Sequence, residues 1–271
     1  MQSKAKPSAR TDGAARASRI CMPTWRNFTR KAFRCGLYEA QDVLLEIDDV
    51  DLIPLERTWS ARVPEPWLRN PLYHDVTRRI MLANLGMKKV KLTKRYELFV
   101  AVCNTYWDLP YINAIEHWRD QCEVSVCWID EMWAAAIAGY KHWLDALKQF
   151  DYVFMGCRGS VAALCQAANR RCYWLPAATD SLRFCSYPES ASRVIDVYSI
   201  GRRHEGIHRE LLKASMENQL FYIHDSFAAA NADVYEHREH RELFANVAKR
   251  SRYFLVTSAK MNAEYETHGQ I

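Results

Sequence analysis

Two arginines follow a glycine at the end of a strand-like run in this 271-residue chain. Residues 194–200 are mostly apolar and lead directly into Gly201, Arg202 and Arg203. In open α/β sheets, ligands bind beyond the carboxyl ends of the strands, and a guanidinium group matches the geometry of phosphate. We therefore expect a phosphate-binding site at this glycine and these arginines, with His208 assisting one helical turn further on. The alternative for each arginine is a surface ion pair, and for His208 a polar position on a helix face.

A second candidate site lies where two other strand-like runs end. Its polar and aromatic side chains follow residues 98–103 and 124–129. They are Asn104, Tyr106, Trp107, Asp108, Asp130 and Glu131. A carboxylate at such a position could bind a hydroxyl group of a ligand or take its proton, so Asp108 and Asp130 are the catalytic candidates. For Asp130, capping of the helix that follows is an equally weighted alternative.

The elements that would position these residues alternate along the chain. Apolar runs separated by helical segments indicate βαβ units and parallel sheets. The predicted strands are 41–47, 98–103, 124–129, 152–155, 173–175, 194–200, 220–223 and 253–256, and the predicted helices are 74–85, 111–121, 131–150, 159–169, 204–216 and 235–249. Ser160 is predicted to cap the helix that starts beside it. The fold class is therefore α/β, with two Rossmann-like parallel-sheet domains.

Charge and composition divide the chain into three parts. Residues 1–34 contain nine Lys or Arg residues and one Asp, although the whole chain has a net charge of only +5. We predict a flexible basic tail at 1–36, an N-terminal domain at 37–188 and the first half of a second domain at 189–271. Because the basic character belongs to the tail, it does not indicate a specific nucleic-acid partner. A solvated terminus is the simpler interpretation of the tail, and contact with a membrane surface or nucleic acid is the alternative.

Other features narrow the class of protein. The nine cysteines form no CxxC pair and mostly occupy apolar runs, which is typical of a reduced, cytoplasmic protein. No apolar run reaches the ~20 residues that a membrane-spanning helix needs. Glycine-rich phosphate loops and the GxSxG elbow are absent from the sequence. His237 and His240 alternate with charged residues as on a solvated helix, so no metal site is predicted there.

Four residues between the two predicted domains carry a family resemblance. Pro176, Asp180, Phe184 and Pro188, together with the strand and turn at 195–203, resemble the interdomain joint of GT-B glycosyltransferases of the retaining group 1 type and their spore-protein-like relatives. The resemblance extends over residues 97–271.

The resemblance implies an enzyme that transfers a sugar from a nucleotide sugar to a hydroxyl acceptor without a metal or other cofactor. Gly201, Arg202, Arg203 and His208 would then face the donor diphosphate, and the residues after 103 and 129 would face the acceptor. The family's glutamate-containing, small-residue donor helix has no counterpart here, so we expect an incomplete donor domain and weak or no activity. A non-catalytic sugar- or nucleotide-binding module is the alternative.

Overall fold

Two parallel β-sheets organise the protein in the computed structural model. It describes residues 18–58, 86–185, 188–201, 204–225 and 234–256. The first sheet has six strands and the second has three, with helices between successive strands. The predicted α/β class with parallel sheets is therefore confirmed. The predicted helix at 74–85 lies outside the described residues.

The first unit contains the six-stranded sheet, in the order β2-β1-β4-β6-β7-β8. Its strands are β1 (Ile20–Thr24), β2 (Val50–Pro54), β4 (Tyr96–Cys103), β6 (Cys122–Ile129), β7 (Tyr152–Met155) and β8 (Cys172–Trp174), and a separate parallel pair is formed by β3 (Val90–Lys91) and β5 (Ile115–Glu116). Its helices are α1 (Cys35–Ile47), α2 (Ala134–Ile137), α3 (Lys141–Leu144) and α4 (Val161–Ala168). The strand order reverses between β1 and β4, which is where open α/β sheets form a ligand crevice.

Burial explains why these strands form the centre of the unit. Residues 99–103 of β4 are all buried, because β1 and β6 flank this strand and helical segments cover the sheet. Continuous apolar runs of this kind are typical of parallel strands that are covered on both faces. The main hydrophobic core consists entirely of residues from this unit.

The predicted tail at 1–36 is wrong for its last part. Residues 20–24 form β1, a fully buried strand between β2 and β4, and residues 35–47 form α1 rather than a strand at 41–47. The basic side chains here do not prevent folding because acidic groups pair with them. Arg26 binds Asp42 at 2.6 Å, and Arg34 binds Asp108 at 2.8 Å. The first unit therefore begins well before residue 37.

Two long predicted helices are also broken into shorter pieces. Residues 106–114 form a 3₁₀ helix with Pro110 inside it, and residues 118–121 form a second 3₁₀ turn. Residues 134–149 form a succession of short α and 3₁₀ turns instead of one helix. Ser160 does not cap α4 through its side chain: its hydroxyl donates to the Met132 carbonyl at 2.5 Å.

The second unit contains a three-stranded parallel sheet in the order β10-β9-β11. Its strands are β9 (Ile195–Ile200), β10 (Tyr222–Asp225) and β11 (Ser251–Leu255), and its helices are α6 (Glu205–Met216) and α7 (His237–Lys249). Among the described residues of this unit, the buried hydrophobic side chains are Ile195, Tyr198, Tyr222 and Ala245. The described part of its core is therefore small.

A short helix, α5 (Ser181–Phe184), connects the two units. Asp180 caps this helix by accepting hydrogen bonds from the N–H groups of Leu182 and Arg183. Phe184 packs edge-on against Phe244 of α7, with 5.1 Å between ring centroids. Asp180 and Phe184, two residues of the predicted joint, thus contribute a helix cap and an aromatic contact to the docking of the second unit.

None of the helices in the described ranges combines the length and apolar character needed to cross a bilayer. All nine cysteines are free thiols.

Candidate functional site

The carboxyl ends of β4, β6 and β7 meet at one edge of the first sheet. Backbone hydrogen bonds hold them together beyond the last ladder pairs. The N–H of Asp130 donates to the Cys103 carbonyl at 2.9 Å, and the N–H of Glu131 donates to the Asn104 carbonyl at 2.8 Å. This edge therefore brings together Asn104, Asp130 and Glu131, three of the residues that the sequence assigned to the acceptor side.

Asp130 has the properties of a candidate proton acceptor. Burial raises the pKa of its carboxyl group above the ordinary value, and the negative charge of Glu131 raises it further, whereas a hydrogen bond from the Asn104 side chain lowers it. Carboxyl groups with perturbed pKa values cluster at functional sites. The helix-capping alternative is wrong, because α2 begins at Ala134 and the residue before it is Trp133.

Gly156, the residue that follows β7, fixes the position of Asp130. Its N–H donates to the Ile129 carbonyl at 2.9 Å. A Cβ atom at this glycine would lie 2.2 Å from the Asp130 carbonyl oxygen, a separation that no side chain could adopt. The absence of a side chain at 156 therefore allows the ends of β6 and β7 to approach closely enough to hold Asp130 in place.

Asp108, the other catalytic candidate, occupies a different environment. Its side chain is 0% exposed, and its Oδ2 atom accepts from the Arg34 guanidinium and from the Asn104 N–H, both at 2.8 Å. Burial opposes the charge of Arg34, but the adjacent Asp108 carboxylate raises the Arg34 pKa above its usual range. In this arrangement Asp108 links the turn after β4 to the start of α1.

The aromatic candidates pack inward. Tyr106 lies beside Trp107 with 4.8 Å between ring centroids, and Trp107 lies 4.7 Å from Trp143. Tyr106 is buried and Trp107 is partly buried against the main core. Both rings support the 3₁₀ helix after β4, and Asp130 and Glu131 are the partly exposed carboxylates of the acceptor-side set.

The phosphate-site candidates follow β9. Gly201 has a φ of +82°, a conformation that glycine adopts without strain, and its N–H donates to the Asp225 carbonyl at 3.0 Å. Arg202 and Arg203 lie outside the described residues. His208 of α6 contacts the Tyr222 hydroxyl at 3.1 Å and packs against the ring of His224. It is therefore in contact with β10.

An additional site lies between the two units, and the sequence analysis did not identify it. A pocket of about 390 Å³ opens beside the carboxyl ends of β1 and β2. We call it the inter-unit pocket. Its lining residues come from the first strands, from the connection between β1 and α1, and from the segment before α7: Thr24, Arg26, Asn27, Arg30, Lys31, Cys35, Tyr38, Leu52, Pro54, Val234, Tyr235, Glu236 and His237. Several of these residues lie in the stretch that was predicted to be a tail.

Two carboxylates on α1 join the units beside this pocket. Asp42 accepts from Arg26 of the first unit and from Arg238 and His237 of α7. Glu39, one helical turn earlier, accepts from Arg241 at 2.6 Å and lies 3.3 Å from Arg183. We call this cluster the α1–α7 junction. The only sequence signal for it was a pair of acids three residues apart and a basic run in a distant helix.

His237 and His240 were predicted to lie on a solvated helix face. His237 is instead largely buried at the α1–α7 junction, while burial and the adjacent Arg241 lower the pKa of His240. Within the described ranges, no group of three or more His, Cys, Asp or Glu side chains is arranged to hold a metal ion.

This chain matches no family model and no curated protein sequence.

Proposed function

We propose that the protein is a glycosyltransferase that moves a sugar from a nucleotide sugar to a hydroxyl acceptor. The observation that carries the proposal is Asp130. This carboxylate stands at the carboxyl edge of a parallel sheet, with a raised pKa, beside Glu131 and a hydrogen-bonding Asn104 side chain. The presence of a second parallel sheet supports a two-unit enzyme with a cleft between the units.

The proposed chemistry assigns a role to each unit. At the acceptor side, Asp130 accepts the proton of the attacking hydroxyl group, and a raised pKa makes a carboxylate a stronger base near neutral pH. Glu131 holds the acceptor through a second hydrogen bond. At the donor side, negative charge develops on the leaving diphosphate, and fixed cationic groups stabilise it. We assign that role to Arg202 and Arg203, which follow β9 in the sequence.

The test compares two carboxylate variants. Purified protein is incubated with a panel of nucleotide sugars and simple glycoside acceptors, and release of nucleoside diphosphate and formation of the glycosylated product are both measured. Loss of a general base lowers the rate by about 10²- to 10⁴-fold, so Asp130→Asn should reduce transfer at least about a hundredfold. The matched control is Asp120→Asn, which removes an exposed carboxylate from the opposite, amino-terminal end of β6.

The outcomes separate the proposal from its alternative. Circular dichroism spectra must show that both variants are folded. Wild-type transfer rates in Asp130→Asn would refute the assignment of the base. Binding of nucleotide sugars by the wild-type protein without any turnover, even at high enzyme concentration and long incubation, would favour a non-catalytic recognition module over the transferase.

A further inference from the structure

The inter-unit pocket has the shape of a small-molecule site. Its volume of about 390 Å³ is within the range of ligand pockets. Thr24 at the end of β1 and Pro54 at the end of β2 line one side, and Tyr235 and Glu236, which precede α7, line the other. A ligand here would therefore touch both units at once, at the edge of the sheet where β1 and β2 end.

Cationic groups dominate the lining of this pocket. Arg26, Arg30 and Lys31 all contribute to it, whereas Glu236 is its one acidic lining residue among those the structure describes. Glu236 is already engaged, since its carboxylate accepts the Arg238 N–H as the cap of α7 and lies 3.2 Å from His237. The acidic charge in the wall is thus partly compensated, and the pocket favours an anion.

Arg30 is the cation best placed to meet that anion. Its backbone is fixed, because its carbonyl accepts the Val234 N–H at 2.6 Å. Its guanidinium lies over the ring of Tyr235, with 5.6 Å from Cζ to the centroid. No carboxylate within the described part of the chain forms an ion pair with it. Arg26, by contrast, is occupied by Gln41, Asp42 and the Tyr38 carbonyl.

Two residues of α1, Cys35 and Tyr38, complete this part of the lining. A 3₁₀ turn at Ala32–Arg34 precedes the helix, and its Ala32 carbonyl already accepts the Cys35 N–H. The anion would therefore be held by side chains, with Arg30 as the main one.

We propose that the inter-unit pocket binds the phosphate group of a phosphorylated small molecule, with Arg30 as its main contact. The guanidinium donates hydrogen bonds to the phosphate oxygens, and the exposed ring of Tyr235 packs against the remainder of the ligand. The inference rests on the proposed function in one respect, because a nucleoside diphosphate held here would be part of the sugar donor. It uses neither Asp130 nor Arg202, so the two proposals can fail separately. The ligand's phosphate belongs to either a nucleoside diphosphate or a sugar phosphate.

Isothermal titration calorimetry tests the inference with three probes: inorganic phosphate, glucose 1-phosphate and uridine diphosphate. We expect binding that weakens as salt is raised, and an affinity about tenfold lower in Arg30→Gln, because charge-assisted hydrogen bonds to phosphate are lost. Arg193→Gln makes the same change at an exposed position that does not line the pocket, and it should keep the wild-type affinity. Circular dichroism checks that both variants are folded.

The probes also identify the source of the phosphate. The ligand class is that of the ester that binds at least about tenfold more tightly than inorganic phosphate. This gain in affinity should be smaller in Tyr235→Leu. Failure of all three probes to bind would overturn the inference, and so would equal affinities in wild type and Arg30→Gln. Inorganic phosphate that binds as tightly as either ester would also overturn it. Asp130→Asn should bind the probes normally, so loss of transfer and loss of phosphate binding are separable results.

Discussion

Replacement of Asp42 by asparagine tests whether the α1–α7 junction stabilises the fold. The carboxylate is 7% exposed and accepts from Arg26 at 2.6 Å, from Arg238 at 2.9 Å and from His237 at 3.1 Å. Removing one partner of a buried ion pair costs about 3–5 kcal/mol, because the other charge is left uncompensated. Asparagine keeps one acceptor oxygen, so we expect Asp42→Asn to lower the free energy of unfolding by about 3 kcal/mol.

The matched control is Asp48→Asn, at the carboxyl end of the same helix. Asp48 also pairs with an arginine, Arg19, at 2.6 Å, but the two side chains are 23% and 47% exposed. Exposed pairs contribute at most about 1 kcal/mol, so this variant should be nearly neutral. Urea titrations followed by circular dichroism measure both free energies. Equal effects of the two substitutions, or a loss below about 1 kcal/mol in Asp42→Asn, would refute the reasoning.

The pH dependence of the free energy of unfolding provides a second test with the same variant. Burial opposes ionisation of Asp42, but hydrogen bonds from His237, Arg238 and Arg26 outweigh it and hold the pKa well below its usual range. A carboxyl group with a lowered folded-state pKa stabilises the protein above its unfolded pKa of about 3.9, and this contribution is lost as the pH falls below that value. The stability difference between wild type and Asp42→Asn should therefore be present at neutral pH and shrink as the pH falls below about 4.

Three further substitutions address the edge of the first sheet. Gly156→Ala should lower the free energy of unfolding by about 2 kcal/mol, since its Cβ would lie 2.2 Å from the Asp130 carbonyl oxygen; an unchanged urea midpoint would contradict the close approach. Asp130→Asn should unfold thermally at pH 7 at or above the wild-type midpoint, because burial and Glu131 disfavour its charge in the folded state, and a midpoint lowered by several degrees would contradict this. Asp108→Asn should cost about 3 kcal/mol in urea because it breaks the buried pair with Arg34, and a neutral result would mean that the pair contributes nothing.

Strands with a local apolar run could be predicted from the sequence. The prediction of a strand at 152–155 matches β7, and that at 194–200 differs from β9 by one residue. These runs are rich in β-branched and aromatic residues and are bounded by turns, so their signal is local. The carboxyl-end rule then located Asn104, Asp130 and Glu131 on one edge, because that rule depends only on the order of strands.

The start of the fold could not be recognised in the same way. β1 contains Pro23 and follows a basic stretch, and both features are unusual for a central strand. Its neighbouring charges are neutralised by residues distant in sequence: Asp42 for Arg26 and Asp108 for Arg34. Such pairing follows from tertiary structure. Within α1, the four apolar residues between positions 41 and 47 led to the incorrect prediction of a strand.

In the candidate site, too, the features that depend on local sequence could be predicted and those that depend on tertiary packing could not. Strand ends could be predicted, but the burial of Asp108 and the inward packing of Tyr106 depend on α1 and on the helical turns after β6. The α1–α7 junction required knowledge of which helices pack together. The phosphate role of Arg202 and Arg203 stays a prediction.

The unequal cores of the two units imply an order of folding. The first unit contains the main hydrophobic core, whereas the described part of the second unit buries few apolar side chains. The second unit is attached to α1 through α7. Ordering a chain costs about 1–2 kcal/mol per residue, which a small core offsets poorly on its own. The second sheet should therefore complete its structure only after α1 presents Glu39 and Asp42, so that the first unit acts as the surface on which the second one folds.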